Sequence, residues 1–203
     1  MRKRPQQARS RDTVDVMVEA GAQVLARKGW AGFNTNEVAA TAGVSIGSIY
    51  QYFPNKLALL DAIRLRHFEE VLNVLDVTKK RAAGLRTRIA GMVDGLIESH
   101  NRCPGLTRVL LDEVPQPHSG AAEVQRFDSA YRQRFRDLVR ESTGLEDAAR
   151  LDLAASVVAS AVEGMVHEAA RRDAPDDVSP RDEIVSVICG YLRAKRRECE
   201  RGR

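Results

Sequence analysis

Apolar residues recur along this chain with the spacing of helix faces. Between Val14 and Leu25 they fall three or four residues apart, which places them on one side of an α-helix. Ser10 or Asp12 can cap the beginning of this helix, and Gly29, which follows two basic residues, predicts its end. No segment shows the two-residue alternation of a half-buried strand. The pattern therefore predicts an all-α protein.

Two short helices are predicted next. Asn34 and Glu37 have the spacing of a capping box, so a second helix is expected to begin after Asn34. Gly43 predicts a tight turn, and Ser45 is placed to cap a third helix that Pro54 ends. We expect the apolar side chains of this region to form a small core, namely Phe33, Val38, Ala39, Ala42, Val44, Ile49 and Phe53.

Six further helices are expected, about nine in total, at residues 56–82, 85–100, 106–113, 121–143, 146–172 and 180–194, before a charged tail from Lys195 that frays. The segment 146–172 is apolar almost all round, and such a helix must be buried on every side. It and the last helix are candidates for a dimer surface, where Ala155, Ala159 and Gly164 allow close approach. The alternative is a helix at the centre of a monomer core.

Composition narrows the class of protein. The chain has 203 residues, of which 43% are hydrophobic and 5% aromatic, as in a globular protein that favours helix over strand. No apolar run approaches the roughly 18–20 residues of a membrane span, and no apolar segment follows the basic N-terminus as in a secretory signal. Cys103, Cys189 and Cys199 are odd in number and scattered, which argues against a disulfide framework. We expect a cytoplasmic protein without membrane association.

Positive charge is concentrated near the N-terminus. Residues 1–66 contain ten Lys or Arg and five Asp or Glu, whereas the rest contains 22 and 23. A local basic excess is typical of a chain that meets phosphates, and a solvated surface is the alternative. The first basic residues would form an arm that reaches phosphates or the minor groove, or a tail that adds non-specific affinity; they are Arg2, Lys3, Arg4, Arg9 and Arg11.

A helix-turn-helix motif is indicated at residues 35–54. Ala39, Gly43 and Ile49 supply the small contact residue, the turn glycine and the buried residue that this motif needs. A longer string is more specific: Thr35, Val38-Ala39, Ala42-Gly43-Val44-Ser45, Gly47-Ser48-Ile49-Tyr50, Tyr52-Phe53, Lys56 and Leu59-Leu60. This string resembles the DNA-binding signature of the TetR (tetracycline-repressor-like) family of transcriptional regulators. The resemblance implies an N-terminal three-helix DNA-binding domain at 1–55 and a larger helical ligand-binding and dimerisation domain at 56–203, with helix 56–82 as connector.

The outer face of residues 45–52 would meet DNA, because the second helix of the motif enters the major groove. Gln51 can form two hydrogen bonds with adenine, and Gly47 permits close approach of the backbone. The phenol groups of Tyr50 and Tyr52 can reach phosphates. The resemblance implies further phosphate contacts from Thr35 and Lys56. The whole expected DNA-binding set is Thr35, Asn36, Ser45, Ile46, Gly47, Ser48, Tyr50, Gln51, Tyr52 and Lys56.

Several members of this set have a second interpretation. Ser45 can serve as a helix cap rather than contact a base, and Tyr50 can be half core and half contact. Ile46 can touch a thymine methyl group or only pack. Lys56 can be an exposed residue in the first turn of its helix.

The resemblance also implies a mechanism. A homodimer, paired through its last two helices, would bind a palindromic operator in double-stranded DNA as a repressor and be released by an unidentified small molecule. Candidate residues for lining the ligand cavity, each with a structural role as the alternative, are Met92, Leu96, His100, Phe127, Tyr131, Glu163 and His167. We predict no cofactor and no metal site.

Three other functions are alternatives to this one. An enzyme is not favoured, because none of the common nucleophile, zinc or nucleotide motifs occurs, and the carboxylate pairs Glu69-Glu70 and Asp112-Glu113 fall on exposed helical segments. A ligand-independent architectural DNA-binding protein would lack a cavity in residues 82–172. An activator would differ from a repressor only in operator position.

Overall fold

The computed structural model describes residues 8–79, 83–115, 121–171 and 179–202. Within these ranges the chain forms nine α-helices and one 3₁₀ turn, and it contains no strand. The all-α prediction is confirmed. The helices are α1 (Ala8–Gly32), α2 (Thr35–Ala42), α3 (Ile46–Tyr52), α4 (Lys56–Asp76), α5 (Leu85–Arg102), α6 (Leu106–Asp112), α7 (Ala121–Thr143), α8 (Ala148–Arg171) and α9 (Pro180–Arg201).

Some predicted features lie outside the described residues. They are Arg2, Lys3 and Arg4, the side chains of Arg9 and Arg11, and the segment 173–177. Among the helices that are described, none combines the length and the apolar character needed to cross a bilayer.

The chain divides into two compact units. The first unit comprises Met1–Glu69 and Arg102–Glu123, so α6 belongs with the helix-turn-helix segment although more than 30 residues separate them. Leu106 and Val109 of α6 are buried in the same core as Phe33, Ile49 and Phe53. The predicted burial of these last three side chains is confirmed. This division differs from the boundary expected at residue 55, because the first part of α4 and all of α6 supply apolar side chains to the N-terminal core.

The second unit comprises Glu70–Asn101 and Val124–Arg203. Its apolar core is built from α5, α7, α8, α9 and the end of α4, with Met92, Val93, Phe135, Val158 and Val185 among the most buried side chains. Each fully buried side chain of this size contributes about 1.5–3 kcal/mol of hydrophobic stabilisation. Ion pairs at the margin of this core join Asp76 to Arg134, Arg88 to Glu141 and Asp94 to Arg181.

Three helices differ from expectation at their ends. α1 begins at Ala8, so Ser10 and Asp12 lie inside it and are not its caps, and it runs to Gly32 with a break in the helical backbone at Gly29. α4 ends at Asp76 and continues as the 3₁₀ turn Val77–Lys79, so it is shorter than the predicted helix 56–82. The tail from Lys195 does not fray, because α9 continues to Arg201. Ion pairs one helical turn apart, such as Lys195 with Glu198 at 2.8 Å, support this last stretch, and Cys199 packs against the core.

Candidate nucleic-acid interface

The turn between α2 and α3 is closed by a complete set of backbone hydrogen bonds. Gly43 has φ 66° and ψ 30°, the left-handed conformation that favours glycine. Its N–H donates to the carbonyl of Ala40 at 3.3 Å, and the N–H of Val44 donates to that of Ala39 at 3.0 Å. These two bonds form the Schellman motif, which ends one helix and turns the chain into the next. The predicted turn at Gly43 is confirmed.

Side chains cap the beginnings of both helices of the motif. Asn34 Oδ1 accepts a hydrogen bond from the backbone N–H of Glu37 at 3.0 Å, and Ser45 Oγ accepts one from that of Ser48 at 3.0 Å. Both predicted caps are confirmed. The carboxylate of Glu37, however, binds the ammonium of Lys28 at the end of α1, which holds the pKa of Glu37 below its usual value. α1 and α2 are thereby joined by an ion pair.

The helix α3 has one buried side and one exposed side. Ile49 is fully buried, whereas Ile46, Gly47 and Gln51 are exposed as expected. The two tyrosines differ in exposure. Tyr50 is 44% exposed, so part of its side chain is accessible, as expected. Tyr52, expected on the outer face, is half-buried and packs against the core, because it follows Ile49 by three residues and shares its side of the helix.

Two pairs of hydroxyl groups are hydrogen-bonded within this motif. Thr35, for which a phosphate contact is expected, is only 8% exposed. Thr35 Oγ1 lies 3.1 Å from the hydroxyl of Tyr50, so the first residue of α2 is hydrogen-bonded to α3. Ser45 Oγ lies 2.8 Å from Ser48 Oγ. In each pair one hydroxyl donates to the other, and the accepting hydroxyl keeps its own hydrogen for a further acceptor. Asn36 is exposed beside Thr35 in the first turn of α2.

Lys56, the first residue of α4, lies against an aromatic ring. Its ammonium is 4.0 Å from the centre of the Trp30 ring, a cation–π contact. Lys56 is exposed, and Trp30 is half-buried beside Phe33, with 5.9 Å between ring centres. The ammonium of Lys56 therefore has a defined position against the ring.

Most of the described cations near the N-terminus have partners within the protein. Lys28 pairs with Glu37, Arg66 pairs with Glu19, and buried Arg64 contacts Asp61 and donates to the carbonyl of Pro115 at 3.1 Å. These three cations stabilise the first unit. The basic excess alone is therefore a poor guide to which residues meet DNA.

Comparisons with known proteins agree with this architecture. The family model described as "Bacterial regulatory proteins, tetR family" matches residues 17–63. The model described as "Tetracyclin repressor-like, C-terminal domain" matches residues 85–192, more than half of the chain. The chain belongs to the TetR family. This TetR-family protein is therefore a DNA-binding transcriptional regulator, and its family and fold are those of regulators rather than enzymes.

Individual relatives differ in how much they share. The transcriptional activator FasR of Mycolicibacterium smegmatis is 26% identical over 71% of this chain and 66% of its own length. The nucleoid occlusion factor SlmA of Actinobacillus pleuropneumoniae is 28% identical over 37% of this chain, and the match spans only 38% of SlmA. The crystal structure of a TetR-like regulator from Rhodococcus sp. RHA1 superposes with a TM-score of 0.67 at 18% identity, over 95% of this chain and all of the other. That likeness shows the fold.

In the second unit of the TetR-family protein, the polar residues expected near a ligand lie close to one another. His100 Nε2 lies 3.3 Å from His167 Nδ1, and His100 Nδ1 lies 3.0 Å from the carbonyl of Leu96. Burial lowers the pKa of His100, although the Leu96 carbonyl opposes the change. Burial also raises the pKa of Tyr131, and the carboxylate of Glu163 adds to this effect.

The apolar members of the same set belong to the core or its edge. Met92 is completely buried, and Leu96 is largely buried. Phe127 and Tyr131 are partly exposed neighbours on α7, with 5.5 Å between ring centres. α5, α7 and α8 thus supply all seven predicted ligand residues.

A separate cavity of about 340 Å³ lies at the far end of α9. None of the seven predicted ligand residues lines it. Its lining includes Leu145, Arg150, Leu153, Tyr191, Lys195 and Cys199. This cavity was not predicted from the sequence.

Sequence reasoning missed Trp30 and Glu113 as neighbours of the interface. Trp30 follows the predicted end of the first helix at Gly29, and Glu113 is expected to be an exposed helical carboxylate. In the structure, Glu113 Oε2 accepts a hydrogen bond from the backbone N–H of Trp30 at 3.1 Å. Because 83 positions separate the two residues, no local pattern could have indicated this contact.

Proposed function

We propose that this TetR-family regulator is a dimeric repressor that binds a palindromic operator and is released by a small molecule. The observation that carries the DNA-binding part is the exposed face of α3, where Ile46, Gly47 and Gln51 project beyond a capped and tightly turned motif. Gln51 would pair with a base edge, since glutamine suits adenine in the major groove. The exposed hydroxyl of Tyr50 would accept the hydrogen bond of Thr35 and donate its own hydrogen to a phosphate.

Selection of bound DNA from a random pool tests this assignment. A palindrome with half-sites about one helical turn apart is expected for a dimer. With the selected duplex, Gln51→Ala should relax specificity at one base position and weaken the binding free energy by about 1–3 kcal/mol. Lys56→Ala should instead weaken binding to every sequence. The slope of the logarithm of the binding constant against the logarithm of salt concentration should fall in magnitude by about one, the value for one lost phosphate contact. If both variants bind as the wild type does, the docking of α3 is wrong.

The dimer proposal is supported by an unpartnered face on α8 and α9. Leu153 is 68% exposed, Val157 is 44% exposed and Val187 on α9 is 51% exposed. Gly164 lies on the same side of α8 as Leu153 and Val157, and no atom lies within 4 Å of the position a Cβ would take there. Of the small residues expected at this face, Ala155 and Ala159 instead face the core of their own unit, because they lie on the opposite side of α8 from Leu153 and Val157. A large apolar side chain this exposed is best explained by a partner.

Sedimentation velocity tests the oligomeric state. Val157→Glu places a charge in the proposed dimer interface and should convert the dimer to monomer. Val16→Glu is the matched control, since Val16 is 49% exposed on α1. A dimer that survives Val157→Glu, or a wild type that is monomeric at micromolar concentration, contradicts the proposal.

The ligand proposal is supported by the group of His100, Tyr131, Glu163 and His167, which places polar groups beside an apolar core. Compounds that bind the purified protein should lower its operator affinity, with coupling typically of about 5–150-fold. Tyr131→Phe should weaken a ligand held at this group, whereas Tyr191→Phe should weaken one held in the cavity at the end of α9. If compounds bind without changing operator affinity, release by a ligand is wrong.

Two relatives favour second candidates. FasR is named an activator, and a regulator with the same helices would activate if its operator lay elsewhere. SlmA is named a nucleoid occlusion factor, and a ligand-independent architectural DNA-binding protein is the other alternative. A selection that enriches no sequence would favour this last alternative. We expect the protein to act in the cytoplasm.

A further inference from the structure

We propose that Trp30 is a positioning residue for DNA binding: its ring holds the ammonium of Lys56 in place, and Glu113 of the α6 C-terminus holds Trp30. The proposal deepens the function proposed above, because it rests on the contact between Lys56 and a DNA phosphate. It assigns roles to two residues that make no contact with DNA themselves.

The first step is the contact between the ring and the ammonium. Lys56 Nζ lies 4.0 Å from the centre of the Trp30 ring. A lysine side chain is flexible, and fixing it on a phosphate costs conformational entropy. The ring restricts the side chain before DNA arrives. Because the ring occupies only one side of the ammonium, the N–H groups on the other side can still donate to a phosphate.

The second step is the way in which Trp30 itself is held. Its backbone N–H donates to Glu113 Oε2 at 3.1 Å, while Glu113 Oε1 pairs with Arg108 at 2.7 Å. The neighbouring Gly29 has φ 65°, and a Cβ at this position would meet Glu113 Oε2 at 2.5 Å. The absence of a side chain at position 29 therefore admits the carboxylate to the backbone. All of these residues belong to the first unit.

A double-mutant cycle tests the first step. A phosphate contact is independent of sequence, so a random-sequence duplex at low salt is a sufficient probe. Trp30→Leu should weaken binding by about two- to fivefold, the fold-change that corresponds to an exposed cation–π contact. In the Lys56→Met background the same substitution should have no further effect. Trp30→Phe, which keeps an aromatic face, should fall between the wild type and Trp30→Leu.

The cycle separates the two proposals. If Lys56→Met weakens binding but Trp30→Leu costs the same in both backgrounds, the phosphate contact stands and the positioning role is overturned. If Lys56→Met leaves binding unchanged, the phosphate contact is wrong and the positioning role is lost with it. Circular dichroism shows whether each variant keeps its helices.

Fluorescence gives a readout that needs no DNA. Trp30 is the single tryptophan of the chain, so its emission reports this ring alone. Lys56→Met should shift or brighten the emission, whereas Lys79→Met, a change of an exposed lysine outside this contact, should not. Unchanged emission in Lys56→Met would show that the ammonium does not rest on the ring, and would overturn the proposal.

Variants of α6 test the second step. Glu113→Ala removes the acceptor for the Trp30 N–H and should weaken duplex binding as much as Trp30→Leu does. Glu113→Gln keeps an oxygen acceptor and should restore most of the affinity. Arg108→Gln is the matched control, because it removes the ion pair and leaves the carboxylate at Trp30. If Glu113→Ala binds DNA as the wild type does, Glu113 has no part in positioning.

Discussion

Replacing Gly47 by alanine should change stability and DNA affinity in opposite directions. A Cβ at position 47 would have Ser45 Oγ as its nearest neighbour, at 3.7 Å, which is an ordinary contact. Nothing in the folded chain therefore requires glycine here, and alanine within a helix is favoured over glycine by about 0.5–1 kcal/mol. The first unit should unfold at a higher denaturant concentration, as followed by the fluorescence of Trp30.

The affinity should fall if the backbone of α3 approaches DNA at this position. One added methyl group in a closely packed contact costs about 1–3 kcal/mol, which corresponds to a roughly 5- to 150-fold rise in Kd. Thr41→Ala is the control, since Thr41 is exposed on α2 and its replacement also raises helix propensity. Wild-type affinity in Gly47→Ala would refute the close approach, and a loss of stability would refute the open space around Gly47.

Three further substitutions test local features. Ser45→Ala removes the cap of α3 and should cost about 1 kcal/mol of stability, measured by denaturant unfolding, with Ser160→Ala on α8 as control. Gly43→Ala should lower the free energy of unfolding by about 1–2 kcal/mol, because alanine is strained in the left-handed conformation of this residue even though no atom lies within 4 Å of the added Cβ. An unchanged midpoint of denaturant unfolding would contradict this. His100 has a lowered pKa when folded, so its stabilising contribution is present above its usual pKa of 6.5 and lost as pH falls below it. His100→Gln should therefore flatten the fall in thermal midpoint between pH 7.5 and 5.5, and an equally steep fall would count against the buried neutral ring.

Local features of the fold could be predicted from the sequence. The caps at Asn34 and Ser45 and the turn at Gly43 depend on residues within a few positions of one another, and the structure has each of them. The buried positions Ile49 and Phe53 follow from helical spacing in the same way. Neighbouring residues alone were sufficient for these features.

Contacts between distant segments could not be predicted. The pairing of Thr35 with Tyr50 depends on the angle between two helices, and the histidine pair of the second unit joins residues 67 positions apart. The course of α9 beyond Lys195 was also missed, because charge was interpreted as fraying although the same charges pair one helical turn apart. The misplaced exposure of Tyr52 has the same origin, since the core that α3 meets is formed by other segments.

The membership of α6 in the first unit has a consequence for how the protein can be made and divided. During synthesis, residues 1–69 leave the ribosome before Leu106 and Val109, which complete their core. α5, a helix of the second unit, must emerge in between. The first unit therefore finishes folding only after part of the second has been synthesised, and a fragment cut after Glu69 would expose apolar surface. An exchange of DNA-binding modules between such proteins would have to carry residues 102–115 along with the helix-turn-helix.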